Sequence, residues 1–290
     1  MTALVEQIAN GMMMGAIYVL VALGLVLIFG VMEVLNFAHG VIFMAGGYVC
    51  DVVFMHVLPS YPLAVVATVL ALALVGVALE RVVFRRLRAN VPMQIVASLG
   101  LILIAENAAV LLFGPSALQL TVPSVRSLVR VGDLTFTVQH VVVIAACVVV
   151  IAALHLFLHR TRLGTALRAT SQNAEAARVI GIDADRIYRL TFAIGCALAG
   201  LGGALIGPLF LIFPQMGDLP LLKGLTAIVL GGMGSIAGAI VGGFAIGIIE
   251  AVSTLFITTD YRDMVVFAML IAVLLIRPWG LFGVRVRGDA

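Results

Sequence analysis

The chain has a single lysine, Lys223, followed directly by Gly224, and no GxxxxGK[ST] run surrounds it. A P-loop needs a lysine near the end of a glycine-rich turn to reach the phosphates, so this polypeptide is not a P-loop ATPase. It also lacks a GxSxG elbow and other nucleophile-and-base motifs, and no catalytic residue is assigned. The three cysteines, Cys50, Cys147 and Cys196, show no paired spacing and fall in apolar runs, where small buried packing is their ordinary role. The five histidines are read as forming neither an HxxxH nor an HExxH set, and neither a metal nor a cofactor is expected. Charge is scarce as well, at 11% of residues.

Apolar residues fill that space. They make up 63% of the chain, against roughly 45–50% for a soluble domain. The apolar runs approach or exceed the roughly 20 residues a helix needs to cross a bilayer, and nothing alternates as a lipid-facing barrel would. The expected fold is all-α: a polytopic transmembrane helical bundle forming one domain over residues 1–290. Spans are predicted at Ile8–Val31, Phe37–Val57, Pro62–Val82, Pro92–Gly114, Val138–Leu158, Leu190–Phe213, Ile236–Ile257 and Met264–Ile276. Leu221–Met233 is too short to span comfortably and reads as a broken or re-entrant piece. The first span has no basic n-region and no obvious cleavage site, so it reads as a retained helix.

The arginines orient the bundle. Arg81, Arg85, Arg86 and Arg88 mark one loop, Arg160, Arg162, Arg168, Arg178, Arg186 and Arg189 a second, and Arg277, Arg285 and Arg287 the tail. These thirteen of the 17 basic residues favour the cytoplasmic side. Arg126, Arg130, Lys223 and Arg262 fall on the other side, near Asp133, Asp218, Asp260 and Asp263. The N-terminus is then periplasmic and the C-terminus cytoplasmic, which requires an odd number of crossings and favours counting Leu221–Met233 as one of them; a re-entrant segment would reverse one end. The net charge of +3 follows from this bias and implies no nucleic-acid partner.

Between His159 and Arg189 a charged, helix-forming segment interrupts the apolar runs. Asn173 can cap a short helix over Ala174–Ile180, Gly181 suits the left-handed position that ends it, and Asp183 can cap the next span. One reading is an amphipathic linker resting on membrane lipid, its arginines facing anionic headgroups. Another is a rigid knob offered to a cytoplasmic partner, with Ala176, Val179 and Ile180 as its apolar contact and Glu175 and Arg178 as its charges.

Four runs, MEVLNFAHG, SQNAEAARVIGIDADRIYRLTFAIGCALAGLGGAL, KGLTAIVLGGMGSIAGAIVGGFAIGIIE and RPWGLFG, resemble the LivH family. These are inner-membrane permease subunits of ABC importers for branched-chain amino acids, and the likeness extends from about Ile8 to Gly283. Close relatives import urea, short amides or other amino acids, so the resemblance is less specific for substrate. It implies a bacterial inner-membrane, multi-pass protein and no enzymatic activity of its own. The implied partners are a second related permease subunit, two cytoplasmic ABC ATPase subunits and a periplasmic substrate-binding protein. It also implies that the EAA-like segment couples to the ATPase, with Asn173, Ala174, Glu175, Ala176, Ala177 and Gly181 at that surface. The segment is shorter than the EAA motif of other importer classes.

The chain offers its own clues to a route. Two interrupted apolar segments, Glu33–Gly47 with Asn36, His39 and Gly40, and Lys223–Gly243 with Gly231 and Gly232, are the kind of paired breaks that mark a pathway in transporters. The small-residue stripes Gly195, Ala199, Gly203, Gly207 and Ala239, Gly243, Gly247 are assigned to close helix packing. Asp51, Glu106 beside Asn107, and Glu250 are costly within a span unless they face protein or water. The binding protein is expected to dock near the Gly114–Val138 and Pro214–Pro220 loops. Two other classes remain open: a secondary carrier or channel for a small polar solute, run on Glu106 or Glu250, and a membrane scaffold without transport.

Overall fold

Helix α1 (Thr2–Met32) is apolar on every side, and a helix with no polar face belongs in the middle of a bundle. That is where it lies, with the whole stretch from Ala16 to Leu23 buried. The computed structural model describes residues 2–34, 36–88, 90–122, 127–131, 134–258 and 261–283. Arg126, Asp133, Asp260, Arg285 and Arg287, used above for orientation, lie outside the described residues.

Against α1 pack α2 (His39–His56), α6 (Val138–Arg160), α9 (Ala184–Ile206) and α11 (Ile236–Ser253), while α3 (Tyr61–Leu79) packs on α9 and α2, α5 (Val91–Phe113) on α2, and α12 (Arg262–Ile276) on α11. Helix α3 runs on through a π-helical turn, Glu80–Phe84, into α4 (Arg85–Leu87). Seven helices among the described residues are long and apolar enough to cross a membrane. Helix α12, with 15 residues, and α10 (Asp218–Gly231), with 14, are shorter. At 1.5 Å per residue each advances just over 20 Å, less than the roughly 30 Å of hydrocarbon in a bilayer.

Glycines set the packing directions. A side chain on Gly11 or Gly15 would strike the backbone at Ile248 and Phe244, and one on Gly243 would strike Val19, so α1 and α11 lie antiparallel and nearly touching. Gly231 meets Gly238 and Ala227 meets Gly242, so α10 runs antiparallel to α11 and parallel to α1. The segment predicted at Leu221–Met233 is therefore a short forward run, not a hairpin. Its missing length lies in the irregular 207–217 stretch, where Ile212 and Leu118 exchange backbone hydrogen bonds of 2.8 Å. Gly217 is not a surface loop residue, since its backbone is buried against Gly40. Pro214–Pro220, expected outside as a loop, is a turn over 214–217 followed by the first residues of α10, with Gln215, Asp218 and Leu219 exposed and Gly217 and Pro220 buried.

The same logic collects the basic clusters. Helix α9 is antiparallel to α1, with Gly195 beside Gly24 and Gly202 beside Leu20, and antiparallel to α3, with Phe192 beside Gly76. The ends of α3 and α12 and the 159–189 segment thus share the end of the molecule where α1 finishes. Between α5 and α6, expected as loop, β1 (Leu128–Val131) and β2 (Leu134–Thr137) pair antiparallel with Leu128 opposite Thr137. Their Val and Thr content favours a strand.

The RPWGLFG tail turns back on α10. Leu281 N–H donates to the Leu230 carbonyl (2.9 Å) and Phe282 N–H to that of Gly231 (2.8 Å), satisfying carbonyls that a helix end leaves open. Gly232 (φ +105°) and Gly280 (φ +77°) allow this approach, for neither position tolerates a Cβ.

Candidate functional site

The segment between α6 and α9 is built from local caps. Thr161 Oγ1 accepts from Gly164 N–H (3.0 Å) and opens α7 (Arg162–Gln172); Asn173 Oδ1 accepts from Ala176 N–H (2.9 Å) and opens α8 (Ala174–Val179). At Gly181 (φ +87°) the chain turns left-handed, and Ile182 N–H closes onto the Ala177 carbonyl (3.0 Å). Asp183 Oδ1 then accepts from Arg186 N–H (3.1 Å) to start α9. Sequence reasoning located α8 and both its caps but missed α7. Its signal was there: Thr161 at the cap, and Gly164, Leu167 and Thr170 at three-residue steps, the face that is buried.

What α8 presents is unusual for a charged surface. Val179 is 88% exposed and Ile180 75%, flanked by exposed Glu175, Ala176, Arg178 and Asn173. Ala174 is half-buried. Ala177 points inward and is buried, so it anchors the helix and is not itself a contact. Leaving two large aliphatic side chains in water costs roughly 1.5–3 kcal/mol each relative to full burial.

Inside the bundle the break before α2 meets the stretch leading into α10, ahead of the Lys223–Gly243 segment singled out from sequence. The chain leaves α1 through Glu33, whose φ is +56°, and Asn36 Oδ1 accepts from Ala38 N–H (3.1 Å) to turn it into α2. Gly40 then lies against Gly217, so the break before α2 meets the break before α10. His39 is fully buried, its ring against Gly24 of α1. Its ring lies near the Val21 carbonyl, yet neither nitrogen reaches hydrogen-bond geometry among the described residues, and Asn36 Nδ2 is likewise unpartnered. Buried polar atoms without partners are rare and concentrate where a structure does something other than pack.

A second cluster joins four helices. Lys223, on α10 and 2% exposed, places Nζ 2.5 Å from Glu250 Oε1 on α11 and 2.8 Å from Asp263 Oδ1 on α12. Tyr18 on α1 donates to Glu250 Oε2 (2.8 Å), and Arg262 Nε stands 3.4 Å from Oε1. Lys223, counted among the outer basic residues from sequence, is thus an interior cation. Two acids face two cations, so the layer is neutral and each charge has a partner, the condition for keeping ions out of water. Glu250, Arg262, Asn10 and His140 also border an open cavity of about 360 Å³ walled by Met13 and Met14.

The remaining expected residues fall elsewhere. Glu106 and Asn107 sit on α5, the least covered helix; Glu106 is half-buried with Asp218 in its field, and exposed Asn107 donates to its own helix at Leu103 (2.7 Å). Gly231 packs on Gly238, and Gly232 caps α10 under the tail. Missed altogether were Tyr18, Arg262 and Asp263 as partners of Lys223 and Glu250. The pair Lys223 and Glu250, opposite charges within apolar runs, was the available signal. His155 and His159 do stand at HxxxH spacing, which sequence reasoning overlooked. Their rings stack at 4.3 Å, and no third ligand joins them among the described residues.

Comparison with known proteins bears on this arrangement. Residues 7–274 match the family described as the permease component of branched-chain amino acid transport systems. The chain is 33% identical to the high-affinity branched-chain amino acid permease LivH of Salmonella typhimurium, covering 96% of this chain and 95% of that protein. It is equally similar to BraD of Pseudomonas aeruginosa over the same shares, and 29% identical to a probable LivH of Methanocaldococcus jannaschii over 92% of this chain and 88% of that one. No solved structure matches it. With its multiple apolar spans and a family match over nearly its whole length, the chain is a multi-pass membrane protein belonging to the branched-chain amino acid transport permease family.

Proposed function

We propose that this chain is the membrane-spanning permease subunit of an ATP-driven importer for branched-chain amino acids, seated in a bacterial inner membrane with its N-terminus periplasmic and C-terminus cytoplasmic. A second related permease completes the pathway, two cytoplasmic ABC ATPases drive it, and a periplasmic binding protein delivers substrate. The observation that carries the coupling role is the Val179–Ile180 pair, exposed at the end of a capped helix at the basic end of the molecule. Asn173, Ala174, Glu175, Ala176, Arg178 and Gly181 shape that knob, and Ala177 roots it.

Substrate needs a route that offers weak polar stations within an apolar wall, because tight binding would trap it. Glu106 and Asn107 on the uncovered α5 face, and the junction of Asn36, His39 and Gly40 with α10, supply such stations. Lys223 and Glu250, with Gly231 and Gly232 at the inner end, hold the broken segment that moves between states. ATP-driven closure of the ATPases presses on α8 and shifts the bundle only as far as the partners' differential affinity for its two states allows.

The test is co-purification of the tagged chain from native membranes in mild detergent, for the parent and for Glu175→Arg. Two P-loop ATPases and a related permease should accompany the parent, with the ATPases lost in the variant. A chain that purifies alone, under conditions that keep other ABC complexes whole, points instead to a secondary carrier.

A further inference from the structure

Four residues past Gly181, the first turn of α9 is tied to the far end of α3. Asp185 Oδ1 lies 2.5 Å from Arg88 Nη1, and Asp185 Oδ2 lies 2.6 Å from Arg85 Nη2. The other arm of Arg88 forms an ion pair with Glu80, which is 0% exposed. The Arg88 guanidinium also stands 4.3 Å from the ring centroid of Tyr188, one turn along α9. One arginine therefore holds two carboxylates and an aromatic face, a geometry that its planar fork allows and a lysine's ammonium does not.

The stretch of α3 between these anchors is the π-helical turn Glu80–Phe84. Such turns are rare, recur at functional sites, and carry an extra residue per turn that a helix can take up or release. Phe84 also packs on Phe192 of α9, ring centroids 4.8 Å apart. Nothing in a loose cytoplasmic loop calls for a buried acid, a bridging arginine and a π-helical turn to be gathered here.

We propose that Arg88, bridging buried Glu80 and Asp185, is a positioning residue that fixes the start of α9 to the π-helical end of α3, so that displacement of α8 reaches α3 as a unit. The clamp rests on the coupling role given above to α8. It lets a push on the knob move two spanning helices together.

Two measurements on the reconstituted complex test this. Asp185→Asn should leave the co-purified ATPase ratio unchanged yet lower substrate uptake per ATP hydrolysed at least tenfold, while Asp185→Glu restores most of it. In the parent, spin labels at exposed Val82 and Arg186 should keep one separation with and without ATP; in Asp185→Asn that separation should shift or broaden. An unchanged uptake-to-hydrolysis ratio in Asp185→Asn, or a parent separation that changes with nucleotide, overturns the clamp. Failure of ATPases to accompany even the parent overturns the coupling reading itself, and is seen in the co-purification before either measurement is made.

Discussion

The molecule holds two knots of charge, and they are buried to different depths for different ends. Lys223, Glu250 and Tyr18 are almost wholly buried where four helices converge, with half-exposed Asp263 and Arg262 at the open edge of the cluster. Glu80, Arg88 and Asp185 meet at the basic end, where Arg88 is 22% exposed and water can reach part of the set. The deep knot cannot lose a member without stranding a charge in apolar surroundings. In the shallow one Asp185 and Arg88 can relax toward solvent, while Glu80 stays buried. Stability should therefore depend on the first, and transmission of motion on the second.

Glu250→Ala breaks the deep knot most severely. Lys223 is left buried against one partially exposed acid, and the detergent-solubilised protein should lose about 3–5 kcal/mol, read as a collapse of its thermal unfolding midpoint. The double variant Lys223→Met, Glu250→Leu removes both charges and should recover most of that loss. Absence of recovery would mean that Tyr18 and Arg262 hold the layer together without the central pair. Tyr18→Phe takes one hydrogen bond from Glu250 and leaves an oxygen unsatisfied, so about 1–3 kcal/mol should be lost in the same assay. Asp185→Asn, by contrast, should cost below ~1 kcal/mol, as solvent-screened pairs do. A destabilisation as large as that of Glu250→Ala would erase the distinction between the knots. Smallest of all, Val179→Ser with Ile180→Ser should leave stability within ~0.5 kcal/mol while abolishing ATPase capture in the pull-down.

Elements written in local chemistry were legible in the chain. The spans follow from apolar length, and α8 follows from Asn173, Gly181 and Asp183, because a cap is an interaction between residues a few positions apart. The short α10 was legible for the same reason. Helix α7 was missed although its cap and buried face obey the same rules, since its arginines drew the eye to charge and away from the three-residue step of Gly164, Leu167 and Thr170. Contacts between distant parts of the chain were illegible in principle. Nothing near Tyr18 announces Glu250, and nothing near Arg88 announces Asp185; the pairing exists only once helices are laid side by side. Lys223 shows the cost of that gap, for the arginine-and-lysine count used to orient the bundle grouped it with outer residues, while the packing of α10 draws it inside.

The tail that closes over α10 also bears on the order in which the protein is made. Leu230 and Gly231 are synthesised before α11 and α12, yet the amides that cover their carbonyls belong to Leu281 and Phe282. A chain emerging into the membrane must carry the unsealed end of its broken segment through the insertion of two more helices. The end of α10 is completed only by residues that follow both helices, so a ribosome that stops before Leu281 leaves two carbonyls of the broken segment uncovered.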